Sequence, residues 1–356
     1  MIDSDLILKE IDYDHFFEFR YKKSGINKSL IIPEVSGSIT SPEKKIDIPL
    51  YDEYIVEATD VVCTPRQLLT KDYFILPDTF RRRQSRFPHV NLDCVSENEF
   101  KTLVSTDYVE VIDAPCFYFD GEHGSHFGHF LLEVMSRLWC YKSIDIKNLI
   151  FITSIKPSPY HEVILAPFGI SISQVKYFDK PVLCRKLLIS SQGYVLEHSV
   201  SDLAHSVWDK IGAYYDDGDT SERVYVSRSI WSKQRNLINE KDIEKIFLDE
   251  GFTIVHPEKM SPIEQIKLFR SAVNIAGPSG SGFYNAIYSN KIGKRLILVS
   301  KDFITRNDAL VNSRCNSVVK YVAGVKLDDN KSGMLGDWII ESQDVRDALR
   351  KVRTSS

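Results

Sequence analysis

The sequence is poor in cysteine and has no closely spaced cysteine pair. Its 6 cysteines are scattered over 356 residues without a C-x-x-C motif, which argues against a zinc ribbon or a small disulfide scaffold and fits a reducing compartment. No run reaches the ~18 apolar residues that a membrane-spanning helix needs. The first residues, MIDSDLILKEIDYD, are acidic and lack the apolar stretch of a signal peptide. We therefore expect a soluble, cytoplasmic protein.

The sequence also lacks a strong excess of either charge, internal repeats and low-complexity segments. A net charge of −4 gives no basic field, so we expect no nucleic-acid partner. Apolar residues make up 43% and charged residues 26% of the chain, as in a globular protein. The length suits two domains, and the polar run DDGDTSE after Tyr215 predicts their boundary. We expect an N-terminal domain over 1–215, a C-terminal domain over 222–330 and a terminal helix within 335–356.

A glycine-rich stretch, VNIAGPSGSGFYN at 273–285, has neither the Gly-Lys-Ser/Thr of a Walker A motif nor GxGxxG at the required spacing. It predicts a short apolar strand, a loop with Gly277, Gly280 and Gly282, and the start of a helix. Glycines allow the backbone to approach a ligand, and the N–H groups of a first helical turn attract negative charge. Two interpretations stay open, a cradle for a phosphate or diphosphate and a tight turn.

The second half of the chain alternates predicted strands and helices. This order is typical of a doubly wound parallel sheet with the glycine-rich loop at the carboxyl end of a strand. Ser261 and Glu264 form a capping-box pattern at one helix start. The predicted strands are 223–227, 252–255, 273–276 and 295–299, and the predicted helices are 239–250, 261–269 and 337–350.

In the first half, a histidine-rich loop follows a predicted strand at 108–119. The next residues, FGHFLLEVMSRLWCYK, have apolar residues at helical spacing, which predicts a helix with one buried face. His129, Glu133 and Arg137 lie at i, i+4 and i+8 and should stack along another face. Such a column after a strand is typical of catalytic groups in α/β enzymes. Other predicted strands are 54–62, 73–76, 149–153, 174–178 and 182–190, and other predicted helices are 160–166 and 201–215.

A basic cluster lies between residues 78 and 89. One interpretation is a solvated surface whose arginine stems lie on aromatic rings, and the other is a docking patch for an anionic acceptor or a membrane surface. The cluster consists of Arg81, Arg82, Arg83 and Arg86, beside Phe80 and Phe87.

Three blocks of the sequence resemble glycosyltransferase family 61, which includes bacterial capsular polysaccharide biosynthesis proteins. SHFGHFLLEVMSRLW is similar to the family's Asn-aromatic-x-His-(x)3-Glu-(x)3-Arg helix, and VYVSRSIWSKQRNLINE is similar to its R…R…NE block. The third block runs from HPEKMSPIEQIKLFRSA through GPSGSGFYN and resembles the family's Pro-Glu, Glu-Gln and Gly-x-His-Gly-Ala-Gly…Asn pattern. The blocks cover about 120–285 at intervals, and residues 1–105 carry no resemblance.

The resemblance implies an α/β fold of GT-B type, with two Rossmann-like domains facing each other across a cleft. It also implies an inverting, metal-independent transfer from a nucleotide diphosphate sugar, UDP-linked by resemblance, to a saccharide or lipid-linked saccharide in surface polysaccharide biosynthesis. No cofactor is expected. Without a metal, arginine, lysine and backbone N–H groups must stabilise the leaving diphosphate. The implied donor-binding residues are Arg228, Lys233, Arg235, Glu258, Glu264, Gly277, Ser279, Gly280, Ser281, Gly282 and Asn285.

An inverting transfer needs a general base for the proton of the acceptor hydroxyl. Histidine titrates near neutral pH, so His129 suits this role, with Glu133 one turn on to orient it. A structural helix cap is the alternative for His129, and Asp120 and Glu122 in the preceding loop are rival bases. Glu133 and Arg137 could equally form a structural ion pair.

The resemblance also implies acceptor and ribose contacts, and the histidine spacing raises the question of a metal. His126 and Arg137 are the implied acceptor contacts, and Glu258 or Glu264 would hold the donor ribose. The spacing of His123, His126 and His129 suggests zinc, but such a spacing drifts around a helix and no cysteine or H-E-x-x-H context accompanies it. We therefore predict no metal.

Two departures from the family pattern concern the glycine-rich loop. Ser279 stands where the family usually has histidine, and Ser281 where it often has alanine. Outside that loop, His126 falls near the family's asparagine. The donor sugar therefore stays open. Two other functions also stay open, polysaccharide pyruvyl transfer from phosphoenolpyruvate and glycan binding without catalysis on the same fold. Peripheral contact with the inner face of the membrane is an alternative to a purely cytoplasmic location.

Overall fold

The structure, a computed structural model, describes the chain except for residues 1–6, 12, 49, 83–88, 232–233, 314–316, 329, 332, 334 and 355–356. It is a mixed α/β fold with several sheets. The chain divides into two compact units. Unit 1 comprises residues 1–26 and 49–207, and unit 2 comprises residues 27–48 and 208–356.

The secondary structure of the described residues is rich in short strands. The strands are β1 (Ile7–Glu10), β2 (Glu18–Lys23), β3 (Lys28–Ile32), β4 (Glu34–Gly37), β5 (Lys44–Ile48), β6 (Glu53–Thr64), β7 (Leu68–Lys71), β8 (Phe74–Ile75), β9 (Leu92–Ser96), β10 (Glu99–Thr102), β11 (Glu110–Ile112), β12 (Cys116–Tyr118), β13 (Ile150–Thr153), β14 (Val175–Tyr177), β15 (Val182–Ser190), β16 (Tyr194–Val195), β17 (Ser199–Val200), β18 (Ser221–Val226), β19 (Thr253–Val255), β20 (Ala272–Pro278), β21 (Lys294–Ser300), β22 (Val318–Lys326) and β23 (Trp338–Ile339).

The helices are shorter and less regular. The α-helices are α1 (Tyr13–Phe16), α2 (Phe127–His129), α3 (Pro159–Leu165), α4 (Asp202–Tyr215), α5 (Glu240–Asp249), α6 (Pro262–Ser271), α7 (Arg306–Asn312) and α8 (Ser342–Thr354). The 3-10 segments are Pro77–Thr79, Arg137–Lys142, Ala166–Phe168, Ile172–Gln174, Pro257–Lys259 and Phe283–Tyr288, and Phe130–Val134 is π-helical. No helix among the described residues has the length and apolar character needed to span a bilayer.

The main sheet of unit 1 has a parallel part and an antiparallel part. In the parallel part, β14, β13, β12 and β15 are neighbours, and β11 pairs with β15 in the same direction. β15 then pairs antiparallel with β6, and the sheet continues through β7, β8, β1, β10 and β9. Phe117 of β12 lies opposite Phe151 and Leu188 of its two neighbours. The histidine-rich loop therefore leaves the carboxyl edge of the parallel part, the position at which α/β folds bind ligands.

The main sheet of unit 2 is mostly parallel. Neighbouring strands in the order β19, β18, β20, β21 and β22 are all parallel, and β23 pairs antiparallel with β22. β20 and β21 are largely buried, which is expected for central strands of a parallel sheet. The parallel order that the sequence predicts for the second half is confirmed, and the glycine-rich loop leaves the carboxyl end of β20.

Residues 27–48 belong to unit 2, although the chain on both sides of them belongs to unit 1. β3 and β5 pair antiparallel, and β4 adds to β22 in parallel, with Val35 opposite Tyr321. The Ser38 N–H also donates to the Ala323 carbonyl at 2.8 Å. The sequence predicts a continuous first domain over 1–215. In the structure, residues 27–48 belong to the second unit, and the boundary between the two units lies within α4.

Each unit has its own hydrophobic core. In unit 1, Val56, Val61 and Leu187 from β6 and β15 are fully buried. In unit 2, the rings of Tyr225 and Phe247 pack 4.5 Å apart between β18 and α5. Burial of one such side chain stabilises the fold by about 1.5–3 kcal/mol. These cores hold the strand ends from which the two candidate sites extend.

Most predicted elements are present with shifted ends. β15 has the predicted bounds, and the predicted capping box of α6 is confirmed, since Ser261 N–H donates to Glu264 Oε2 at 2.7 Å. The strand predicted at 108–119 is wrong as one element: it is interrupted between β11 and β12 at Pro115, which lacks a backbone N–H. The helix predicted from residue 337 begins at Ser342, because β23 precedes it.

Candidate active site

The histidine-rich loop and the helical segment after it form a cluster of polar side chains in unit 1. The loop folds back on itself, with the Gly124 N–H donating to the Gly121 carbonyl at 3.1 Å and the His126 N–H donating to the His123 carbonyl at 2.9 Å. Leu131 of the following helix is fully buried. The apolar face thus fixes the helix, and the polar face carries the cluster.

This helical segment is α-helical at Phe127–His129 and π-helical at Phe130–Val134. π-Helical turns are rare and occur frequently at functional sites. His129 and Glu133 meet as predicted, with His129 Nδ1 lying 2.6 Å from Glu133 Oε2. The predicted column ends there, because Arg137 begins a 3-10 segment and directs its guanidinium to other partners.

Arg81 completes the cluster from a distant part of the chain. Its Nε lies 3.3 Å from Glu133 Oε1, and its Nη2 lies 3.5 Å from His129 Nδ1. Gln192 Nε2 donates to Glu133 Oε1 at 3.4 Å. Part of the predicted basic patch is therefore a neighbour of His129. Arg83, Arg86 and Phe87 lie outside the described residues.

Glu133 is held as an anion by its neighbours. Burial raises the pKa of its carboxyl, but the hydrogen bond with His129 and the charge of Arg81 outweigh burial and lower the pKa below its ordinary value. A carboxylate beside Nδ1 favours the imidazole tautomer with the proton on Nδ1 and the lone pair on Nε2. With that tautomer, Nε2 of His129 can accept a proton, as the histidine of a catalytic triad does.

The rings of His123, His126 and His129 lie close together, with centroids 5.3 to 6.4 Å apart. The sequence analysis expects the positions of these three histidines to drift around one helix. This expectation is wrong, because His123 and His126 belong to the turn before the helix. Burial and the charge of Arg81 lower the pKa of His123 to about 4. Within the described residues, no group of three or more His, Cys, Asp or Glu is arranged to hold a metal ion.

Asp120 and Glu122, the rival bases, are buried in the loop. Ser154 Oγ lies 3.0 and 2.8 Å from the two carboxyl oxygens of Asp120, and burial raises the pKa of this carboxyl to about 6. Glu122 Oε1 accepts the Val90 N–H at 2.9 Å, and burial raises its pKa as well. Asp120 is 0% exposed and the Glu122 side chain 2%, against 27% for the His129 side chain. Of the three, His129 is the most accessible to a substrate.

Arg137 is buried in unit 1 and pairs with Asp78. Its Nη1 donates to Asp78 Oδ1 at 2.9 Å and to the Ser190 carbonyl at 2.6 Å. The hydroxyls of Tyr13 and Tyr54 donate to Asp78 Oδ2 at 3.0 and 2.6 Å. Although burial acts against the charge, Asp78 raises the pKa of Arg137 above its ordinary value. The ion pair considered for Arg137 with Glu133 is thus replaced by one with Asp78.

The glycine-rich loop of unit 2 needs glycine at two positions. Gly277 has φ +148°, and a Cβ there would lie 2.5 Å from the Val226 carbonyl oxygen. Gly280 has φ +152°, and a Cβ there would lie 2.4 Å from Arg228 Nη1. Gly282, in contrast, has ordinary helical angles. The helix predicted after the loop is the short 3-10 segment Phe283–Tyr288.

Two arginines converge on the backbone of this loop. Arg228 Nη1 and Arg235 Nη2 donate to the Ser279 carbonyl at 3.1 and 3.4 Å, and Arg235 lies 4.1 Å from the Phe303 ring centroid. Burial and the charge of Arg235 lower the pKa of Arg228 to about 10. Neither guanidinium has a carboxylate partner within ion-pair distance in the described part of the chain. The loop therefore carries a concentration of positive charge that suits an anionic ligand.

Other predicted donor residues shape the loop. Ser279 is buried, and its Oγ donates to Asp308 Oδ2 at 2.7 Å. Asn285 is fully buried and donates from Nδ2 to the Gln265 side chain at 3.2 Å and to the Gly282 carbonyl at 3.1 Å. Ser281 is exposed. Ser279 and Asn285 thus hold the loop conformation, and Ser281 is the accessible hydroxyl.

The remaining predicted donor residues lie on the surface of unit 2 or outside the described residues. Glu258 is exposed in the 3-10 turn Pro257–Lys259. Glu264 is exposed as well, and the hydrogen bond from Ser261 lowers the pKa of its carboxyl. Lys233 lies outside the described residues.

We expect Glu240→Gln to reduce the pH dependence of stability. Glu240 Oε1 accepts the Arg228 N–H at 2.8 Å, and burial raises the pKa of this carboxyl to about 7. Because the folded pKa lies above the unfolded one, this contribution to stability is full below the unfolded pKa and is lost as pH rises through about 7. The loss approaches about 1.4 kcal/mol per pH unit.

Thermal unfolding followed by circular dichroism at several pH values between the two pKa values measures this effect. The melting temperature of the wild type, measured relative to that of the glutamine variant, should fall with rising pH. Equal slopes for the two proteins would contradict the assignment.

Sequence reasoning missed four contributors to these sites. Arg81 gave a partial signal as a member of the basic patch, but its contact with Glu133 joins segments far apart in sequence. Asp78, Asp308 and Phe303 gave none, because a single residue that meets its partner only through tertiary folding leaves no local pattern.

Comparison with known protein families finds a match that covers these features. Residues 127–294 match the family model described as Glycosyltransferase 61. The matched range contains the His129–Glu133 pair, both arginines and the glycine-rich loop. A search of curated proteins finds no match. The match over residues 127–294 supports a glycosyltransferase of family 61.

Proposed function

We propose that this protein is an inverting glycosyltransferase that moves a sugar from a UDP-linked donor to a saccharide hydroxyl without a metal ion. The family implies a nucleotide-sugar donor and a glycan acceptor in general. Unit 1 would supply the base and the acceptor contacts, and unit 2 would hold the donor, as the two Rossmann-like domains of a GT-B enzyme. The product would belong to a surface or capsular polysaccharide made in the cytoplasm or at the inner face of the membrane.

The observation that carries this proposal is the Arg228–Arg235 pair beside the glycine-rich loop. A diphosphate leaving group gains negative charge as the sugar departs, and fixed positive groups in a partly buried site stabilise that charge. Arg228 and Arg235 have carbonyl and aromatic partners but no carboxylate partner among the described residues. Both charges are therefore available to a phosphate.

The acceptor side of the proposal rests on His129. Its Nδ1 is held by Glu133 at 2.6 Å, so Nε2 is the atom that would take the proton of the acceptor hydroxyl as the oxygen attacks the anomeric carbon. The bond from that carbon to the diphosphate breaks on the opposite face, and the electron pair leaves with the diphosphate. His126, which is exposed beside His129, is a proposed acceptor contact.

We propose supporting roles for three further residues that the sequence predicts as donor or acceptor contacts. Glu258, which is exposed near Arg228, would accept hydrogen bonds from the donor ribose. Ser281 would contact a donor oxygen through its exposed hydroxyl. Buried Arg137 would act on the acceptor side through the packing of its helix.

Calorimetric titration in the presence of EDTA tests the donor site. We expect UDP to bind the wild type more tightly than GDP, CMP or phosphoenolpyruvate, and Arg228→Ala to weaken UDP binding at least ~10-fold, the effect of one lost hydrogen bond to a charged group. Arg350→Ala is the matched control, because this arginine is 69% exposed on α8 of the same unit.

Three results would contradict the proposal. Binding of phosphoenolpyruvate without any nucleotide would favour pyruvyl transfer. If no nucleotide binds, the glycine-rich loop is better interpreted as a tight turn than as a phosphate site. Loss of UDP binding on EDTA treatment would show that a metal holds the diphosphate.

A further inference from the structure

A second concave site lies in unit 1, and most of its lining residues have no role in the sites above. It is a pocket of ≈ 340 Å³ between the first residues of the unit, the chain just before β6 and Pro77. This volume lies at the lower end of the range for small-molecule pockets, about 300–1,000 Å³. The lining residues that matter for its chemistry are Asp14, Phe19, Lys22, Tyr51, Asp52 and Tyr54.

The walls of the pocket are aromatic. Phe19 and Tyr54 pack edge to face, with ring centroids 5.9 Å apart and planes at 82°, and Tyr51 is half-buried beside them. The faces of aromatic rings carry partial negative charge. They therefore attract the C–H groups on the flat face of a sugar ring, whose hydrogens carry partial positive charge.

The polar groups of the pocket suit hydroxyls better than phosphates. Asp52 Oδ1 accepts the Gly25 N–H at 3.1 Å, which fixes its carboxylate. Asp14 forms an ion pair with Lys22, whose Nζ lies 4.6 Å from the Phe19 ring centroid. Two carboxylates and one ammonium give the lining an excess of negative charge, which disfavours a nucleotide. Carboxylates accept hydrogen bonds from sugar hydroxyls in well-defined directions.

The pocket contacts a buried hydrogen-bond network that also contacts the helical segment carrying His129 and Glu133. The Tyr54 hydroxyl donates to Asp78 Oδ2 at 2.6 Å, and the other oxygen of Asp78 accepts Arg137 at 2.9 Å. Arg137 lies one helical turn after Glu133. The pocket and the His129–Glu133 pair therefore share one rigid support within unit 1.

We propose that this pocket binds a neutral saccharide. If the proposed function holds, on which this second step rests, the saccharide is a part of the acceptor glycan remote from the hydroxyl that reacts. Such a subsite supplies binding energy from a non-reacting part of the substrate, which helps to position the reacting part.

Saturation-transfer NMR with the methyl glycosides of glucose, galactose, mannose and N-acetylglucosamine tests the binding itself. We expect transfer to at least one glycoside in the wild type, at least ~10-fold weaker binding in Tyr51→Ala and Asp52→Asn from the lost ring contact and charge-assisted hydrogen bond, and wild-type binding in Tyr51→Phe. Tyr73→Ala is the matched control, because this tyrosine is 69% exposed elsewhere in unit 1. Asp52→Asn keeps an acceptor for the Gly25 N–H, so it decides the matter if Tyr51→Ala does not fold.

Absence of transfer to every glycoside, or equal binding in the wild type and both pocket variants, would overturn the proposal. Saturating UDP should leave the glycoside signal in place. The two proposals fail separately: loss of UDP binding or turnover refutes the transferase assignment and leaves the glycoside result standing. Turnover with an unchanged acceptor KM in Asp52→Asn refutes the acceptor role of the pocket and leaves the transferase assignment standing.

Discussion

Replacement of His129 by alanine, or of Glu133 by glutamine, is expected to lower kcat at least ~100-fold, in line with the loss of a positioned general base. This factor corresponds to about 2.7 kcal/mol of transition-state stabilisation. Alanine removes the Nε2 lone pair. Glutamine keeps the shape of Glu133 but removes the charge that favours a proton on Nδ1, 2.6 Å away, so the imidazole loses its orientation.

The measurement is initial-rate kinetics with a UDP-sugar panel, together with UDP titration of each variant. UDP binding should be unchanged, because the proposed donor site belongs to unit 2. Glu162→Gln on α3 and His198→Ala in the β16–β17 turn are matched controls within unit 1. Near-normal turnover in both His129→Ala and Glu133→Gln would refute the assignment of this helix.

The pH profile distinguishes a base from a structural residue. A base that must be neutral gives a fall in kcat/KM on the acidic side, and this limb should be lost in His129→Ala. If the limb persists, Glu122 becomes the better candidate, because its carboxyl lies in the same loop and burial raises its pKa. Glu122→Gln would then remove the limb.

Local sequence patterns predicted the elements whose signal lies within a short stretch of the chain. The capping box of α6 joins residues three apart, and β15 is a short, largely apolar run, so both patterns can be read from a short window. The parallel order of unit 2 follows from the alternation of such elements. The pairing of β4 with β22 joins residues almost three hundred positions apart, and no local pattern encodes it.

The candidate site shows the same limit at the level of side chains. The spacing of His129 and Glu133 predicted their contact, because an i, i+4 pair is local. The same spacing failed for Arg137, since the helix becomes π-helical at Phe130–Val134 and then 3-10. Arg81 reaches the pair from another segment, so its role became visible only in the folded chain.

Replacement of Asp78 by asparagine is expected to destabilise unit 1 by about 3–5 kcal/mol, the usual effect of removing one partner from a buried ion pair. Asp78 and Arg137 have side chains that are 1% exposed. The variant leaves the buried Arg137 guanidinium charged without a carboxylate partner, although it keeps the Ser190 carbonyl at 2.6 Å and the Tyr118 ring, whose centroid is 5.2 Å away. With total stabilities of about 5–15 kcal/mol for folded domains, this loss is a large share.

Urea unfolding followed by the fluorescence of Trp139 measures this effect, because Trp139 is the one tryptophan in the sequence of unit 1. It also reports locally, since its Nε1 donates to the carbonyl of Ser191, the residue after Ser190, at 2.8 Å. Asp60→Asn is the matched control: Asp60 pairs with Arg185 at 2.7 Å, but the two side chains are 49% and 52% exposed.

Asp78→Asn and Asp60→Asn each remove one partner of an ion pair, so their comparison shows how much of the effect on stability depends on burial of the pair. Solvent screens an exposed pair, so Asp60→Asn should leave the urea midpoint of the Trp139 transition near the wild-type value. Asp78→Asn should lower it strongly, and Arg137→Lys should fall between them, because lysine keeps the charge but loses the planar guanidinium whose Nη1 donates to both Asp78 and the Ser190 carbonyl. An unchanged midpoint in Asp78→Asn would mean that the pair is not what fixes the helix carrying Glu133 and His129, and the rigid support inferred for the base would fail with it.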